Sequence, residues 1–115
     1  MSNLGSALKG VSAGVSVTTG YNAHGGYVMW WDGATKILQV CTRKLTSTAD
    51  NTTVTYPIAF DSLDDLSVVS ATADDNESVA QTSVGTTTFA QQVHNSSGSG
   101  VTSSVSYTAT WVKGA

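Results

Sequence analysis

Charge is scarce in this chain. Asp, Glu, Lys and Arg make up 11% of its 115 residues, against about 25% in an average globular domain. The 8 acids outnumber the 5 Lys and Arg, for a net charge of −3. A nucleic-acid binder needs a basic surface to displace counterions from phosphates, so no nucleic-acid partner is expected. One cysteine, Cys41, excludes an intrachain disulfide and a CxxC metal knuckle. No run of apolar residues approaches the roughly 18 of a membrane helix, so no membrane insertion is expected. Around Lys9, Gly and Ser interrupt the apolar residues, so no cleaved leader is read there. Strong helix formers are few as well. There are 6 Leu and 2 Ile beside 14 Val, 16 Ser and 17 Thr. Val and Thr suit strands, and the mix disfavours a helical protein. Yet 40% of residues are hydrophobic and 3 are Trp, enough to build a core rather than a disordered tail.

The apolar pattern divides the chain in two. Residues 1–25 hold five glycines and no sustained period. This segment is expected to be an extended N-terminal arm that anchors the chain or crosses between subunits. Residues 26–115 read as an all-β domain. A short aromatic run, Tyr27 to Trp31, is closed by Asp32-Gly33, a hairpin signal. Residues 36–43 are its partner strand. Over residues 53–60, Val54, Tyr56, Ile58 and Phe60 alternate onto one face. Pro57 lacks a ladder donor, which places that strand at an edge or bends it. Residues 66–72 form the next strand. Residues 78–84 and 86–93 form a hairpin around Gly85. The last strand, residues 101–112, puts Val101, Val105, Tyr107, Ala109 and Trp111 on one face. The fold class expected is a small antiparallel β-sandwich of about six or seven strands.

These residues resemble a known family. The segment TVTYPIAF (residues 53–60), followed by LSVVSAT (residues 66–72), resembles the V-[TS]-[FY]-P-I-A-F … sVvaT motif of tailed-bacteriophage tail-fibre C-terminal domains. Residues 26–39 resemble that family's opening hairpin, although Trp31-Asp32-Gly33 stands where Leu-Pro-x-Gly is usual. Val40-Cys41 replaces Trp-Gly after Ile-Gln. Residues 83–89 are similar to its s-v-x-T-x-x-x-F strand, and Tyr107-x-Ala109-x-Trp111 to its closing strand. The sandwich of H-type lectins shares part of this pattern. The resemblance implies a homotrimeric virion protein, made in the bacterial host cytoplasm, whose tip is a receptor-binding knob. The knob would meet a host surface glycan or protein, and residues 1–25 would meet other virion proteins. A decoration or cap protein that braces the capsid or tail is the alternative.

Candidate chemistry is thin. No nucleophile elbow or acid–base pair is apparent, so no catalytic residue is assigned and a non-enzyme is expected. Asp74, Asp75, Asn76 and Glu77 are the densest acidic cluster but lack the spacing of a Ca²⁺ loop. His24 and His94 are far apart in sequence. No metal or cofactor is expected. The polar stretches around residues 72–78 and 94–102 join strands at the ends of the sandwich, where binding residues concentrate. Asp74, Asp75, Asn76, His94 and Asn95 are therefore the candidate ligand contacts. Adjacent residues of a strand point to opposite faces, so one of Trp30 and Trp31 should be buried and the other outward. With Tyr27, they are the candidate oligomer interface. The sequons at Asn51, Asn76 and Asn95 carry little weight in a chain with 33 Ser and Thr.

Overall fold

A computed structural model describes residues 14–114. Eight strands are present among them: β1 (Val15–Asn22), β2 (Gly25–Asp32), β3 (Thr35–Thr48), β4 (Thr52–Thr55), β5 (Leu66–Thr72), β6 (Glu77–Val84), β7 (Thr88–Asn95) and β8 (Ser103–Val112). All pairings are antiparallel. They build a five-stranded sheet in the order β1-β2-β3-β8-β5 and a three-stranded sheet in the order β4-β7-β6.

Period-two alternation explains how the sheets face each other. On β8, Val105, Tyr107, Ala109 and Trp111 are buried, while Ser106, Thr108 and Val112 turn outward or remain half-exposed. On β7, Phe89, Gln91 and Val93 are buried. An aromatic cluster joins the two sheets. The ring centroids of Phe89 and Tyr107 are 5.0 Å apart, and those of Tyr56 and Phe60 are 4.8 Å apart with planes at 90°. Edge-to-face pairs of this kind add about 0.5–1.5 kcal/mol to the area they bury. Tyr56 also meets Phe89 at 5.6 Å, so one cluster closes the core.

Three expectations change. The sandwich has eight strands, not six or seven, because the segment read as an arm contributes one. Val15–Asn22 pairs with β2 along its whole length, from Val15 opposite Asp32 to Asn22 opposite Gly25. The sheet therefore starts well before residue 26, while residues 1–13 lie outside the described residues. β1 left no clear periodicity because it is a largely exposed edge strand. The strand expected over residues 53–60 stops at Thr55. Beyond Pro57 the chain is held by single bonds: Tyr56 N–H donates to Thr87 O at 3.1 Å and Phe60 N–H to Thr86 O at 2.8 Å. Tyr56 and Phe60 still face the core, but Ile58 is only half-buried. The last strand starts at Ser103 rather than Val101. Val101 instead donates its N–H to Val93 O at 3.0 Å.

The β2–β3 turn follows its sequence signal. Asp32 and Thr35 are register partners around a two-residue loop. Gly33 takes φ of 59°, a left-handed value that glycine adopts without a Cβ clash.

Candidate functional site

Three connections meet at one end of the sandwich. They are the β3–β4 turn, the β5–β6 loop of residues 73–76, and the β7–β8 loop of residues 96–102. Side chains shape each one. Asp74 Oδ1 accepts the Asn76 N–H at 2.9 Å, and Asp74 O accepts the Glu77 N–H at 3.2 Å. Thr72 Oγ1 donates to Asp74 O at 3.1 Å, closing the same turn. Asn95 Oδ1 accepts two backbone donors, Ser97 N–H at 2.9 Å and Ser99 N–H at 3.0 Å. Asx turns of this type are why Asp and Asn recur at such positions.

An open cleft of about 590 Å³ lies beside these loops, lined by Ala73, Asp74, Asp75, Asn76, Glu77, Thr102, Ser103 and Ser104. Its walls carry three carboxyl side chains and three hydroxyl side chains, with no Lys or Arg. That chemistry repels phosphate- and sulfate-rich ligands. It offers hydrogen bonds to hydroxyl-bearing or cationic ones. Among the described residues, no group of three or more His, Cys, Asp and Glu is placed to hold a metal ion.

The five candidate ligand contacts thus fall at one end but do not share one surface. Asp74, Asp75 and Asn76 line the cleft. Asn95 is the register partner of Glu77, next to the cleft, and its side chain is engaged in holding its own loop. His94 turns to the β3–β4 turn, with Nε2 3.4 Å from Asp50 Oδ2. Asp50 is the residue that sequence reasoning missed. Its Oδ1 accepts the Val93 N–H at 2.9 Å, and its carboxylate abuts Gly100, where a Cβ would collide with it. Only the tertiary fold brings residues 50, 93, 94 and 100 together. The isolated signal was Asp50-Asn51 before a strand, with Asn51 at φ 59°, a left-handed value that Asn tolerates better than most residues.

The three candidate interface aromatics also separate. Trp30 lies opposite Leu38 on the outer face of the five-stranded sheet, and Trp31 faces the other way. A bulge between them shifts Trp31 opposite Lys36. The Lys36 Nζ sits 5.9 Å from the Trp31 ring centre and 5.7 Å from that of Trp111. It pairs with Asp61 at 2.9 Å and donates to Gln39 Oε1 at 2.5 Å. These groups close the far end of the core. Tyr27 packs against the core cluster from β2.

Titratable groups in the core are pushed upward by burial. The Cys41 thiol is fully buried and its pKa is raised, chiefly by desolvation. Tyr56 is pushed up to about 12 by the same cause, and Tyr107 is raised further. Both tyrosine hydroxyls are buried and find no hydrogen-bond partner among the described residues, so a phenolate there would go unsolvated.

No protein-family model matches the chain, and no curated protein matches it by sequence. Solved pyocin fibres share its fold. A P. aeruginosa R1 pyocin fibre structure, comprising C-terminal residues, is 22% identical, with a TM-score of 0.60 over 96% of this chain. An N-truncated R2-type pyocin tail fibre is also 22% identical, with a TM-score of 0.62 over 96% of this chain. This chain spans only 32% of the first structure's length and 43% of the second's. An N-truncated R1-type pyocin tail fibre, 22% identical with a TM-score of 0.60, is covered over 97% of its length. At this identity the likeness is one of fold: the all-β sandwich expected from the sequence is the fold of these fibre fragments.

Proposed function

We propose that the chain is a tail-fibre or spike component of a phage or phage-tail-like particle, assembled as a homotrimer and ending in a binding tip. The observation that carries this reading is the fold match to pyocin tail fibres over 96% of the chain. The tip acts by binding rather than catalysis. Its contact surface is the loop end, where Asp74, Asp75 and Asn76 line the open cleft. A cleft rich in carboxylates and hydroxyls, with no Lys or Arg on its walls, disfavours anionic ligands and suits a neutral or cationic hydroxyl-bearing one such as a host surface glycan. Polar loops on a fixed β scaffold suit such contacts, because their residues change without touching the core. The virion is the expected location, with synthesis in the host cytoplasm.

Adsorption tests the reading. Purified chain should bind host cells, and host polysaccharide should compete for that binding. Asp74→Ala and Asp75→Ala should weaken it while the chain stays folded. Electron microscopy of labelled particles should place the chain at a distal tip. A flush lattice position, with adsorption unchanged in both variants, would instead make it a bracing or cap protein.

A further inference from the structure

The outer face of the five-stranded sheet is left uncovered by the three-stranded sheet. Register partners run straight across it in rows. One row is Tyr21–Gly26–Thr42–Thr108–Val69, spanning all five strands. The next is Thr19–Val28–Val40–Thr110–Ser67. A third contains Val17, Trp30, Leu38 and Val112. None of these residues is charged. Tyr21 is 87% exposed and Val69 is 67% exposed, and they stand at opposite ends of the first row. Between them the row is low, with Gly and two Thr. Depressions of about 410 Å³ beside Tyr21 and about 300 Å³ beside Val69 flank it.

We infer that this face is covered by a second copy of the chain, with the β1 edge of one copy packed against the β5 edge of the next. Four features argue for a copy rather than another occupant. Along these three rows the face carries no charge, with Lys44 and Arg43 bordering it only at the depression beside Val69, and such a surface matches another of the same kind. β1 is an uncharged, proline-free edge strand, and natural sheets protect such edges with charge, proline or a cover. Five strands about 4.8 Å apart and roughly eight residues long give a footprint of about 20 by 26 Å. With side-chain relief, that is the order of the roughly 600–1,000 Å² per partner buried in specific interfaces. Finally, Tyr21 and Val69 share one row. Rotation about an axis parallel to the strands brings Tyr21 of one copy beside Val69 of the next without a shift along that axis. A head-to-tail contact with no such rise closes into a ring when its rotation is one third of a turn, as three copies require.

The inference rests on the homotrimer reading for the number of copies and adds the surface. The test is sedimentation of the full chain with three single variants: Tyr21→Asp and Val69→Asp on this face, and Ala80→Asp on the exposed side of β6. The wild type should sediment as a trimer. Both face variants should fall to the 11.8 kDa of one chain with their strand circular dichroism intact. Ala80→Asp should stay assembled. In addition, the double substitution Tyr21→Cys, Val69→Cys should form an inter-chain disulfide on oxidation. Assembly that survives both face variants overturns the surface and leaves the trimer reading standing. Dissociation by Ala80→Asp as well also overturns it. A wild type that sediments as one chain overturns both.

Discussion

The ring of Tyr27 on β2 lies across Gly20 on β1. A Cβ at residue 20 would stand 2.5 Å from the Tyr27 hydroxyl oxygen and 2.7 Å from the ring carbon that bears it. The two are register partners, so the ring fills the space that a side chain would need. Aromatic cover of a strand glycine is a known way to recover its lost packing. Gly20→Ala should therefore destabilise the fold by about 1–3 kcal/mol, the usual cost of overpacking. In a Tyr27→Ala background the same change should cost nothing. Thermal melts of the four chains check the coupling; an equal cost in both backgrounds would refute it.

Phe60 is 4% exposed and its ring meets Tyr56 edge-on at 4.8 Å. Phe60→Ala should cost about 3–5 kcal/mol, a large share of the roughly 5–15 kcal/mol that holds a small domain. Urea titration should show a midpoint shifted strongly downward. A wild-type midpoint would mean that the chain beyond Pro57 is not part of the core.

Alkali should loosen the fold. The Cys41, Tyr56 and Tyr107 pKa values are all raised by burial, from 9.0 for the thiol and 10.0 for the phenols. Above those values the unfolded chain gives up protons that the folded chain retains. Stability is therefore complete below about pH 9 and declines from there toward about 12, the value for Tyr56. Melting temperature measured from pH 7 to 11 should hold steady and then drop. Cys41→Ala should delay the onset of the drop. A flat profile to pH 11 would contradict the burial of all three groups.

Within the loops, two kinds of residue should separate. Asp75 is exposed and lines the cleft, so Asp75→Ala should leave stability within about 0.5 kcal/mol while reducing adsorption. Asn95 holds two loop N–H groups. Asn95→Ala should make residues 96–102 more susceptible to proteases. Limited proteolysis with mapping of the cut site distinguishes the two. Equal protection of both variants would show that the Asn95 bonds do not order the loop.

How much was legible in the sequence depended on whether an element has one wet face and one dry face. β8 does, and Val105, Tyr107, Ala109 and Trp111 gave their burial away by alternation. β1 does not: most of its residues are exposed on both faces, and none of the described residues covers the face that carries Val17 and Tyr21. Its Thr and Gly residues therefore read as an arm. Ile58 was assigned to the core by the same arithmetic, but the alternation is reset once the chain leaves the ladder at Pro57. Opposite orientation of Trp30 and Trp31 followed from strand geometry, but the burial expected for one of them did not, since both are half-buried. Assignment of Asp74, Asp75 and Asn76 to one loop was legible, since the three are contiguous. Asp50 was not, because its partners lie more than forty residues away along the chain.

The Asp50 carboxylate has a consequence for genetics. One side chain ties Val93, approaches His94 and abuts Gly100, yet it is absent from the cleft walls. Alleles selected for failed adsorption should thus include position 50 alongside positions 74 and 75. The two groups will have opposite histories under selection. If the cleft is the host contact proposed above, changes at 74 or 75 can be traded for a new host, whereas a change at 50 unfastens the platform on which every such trade is made.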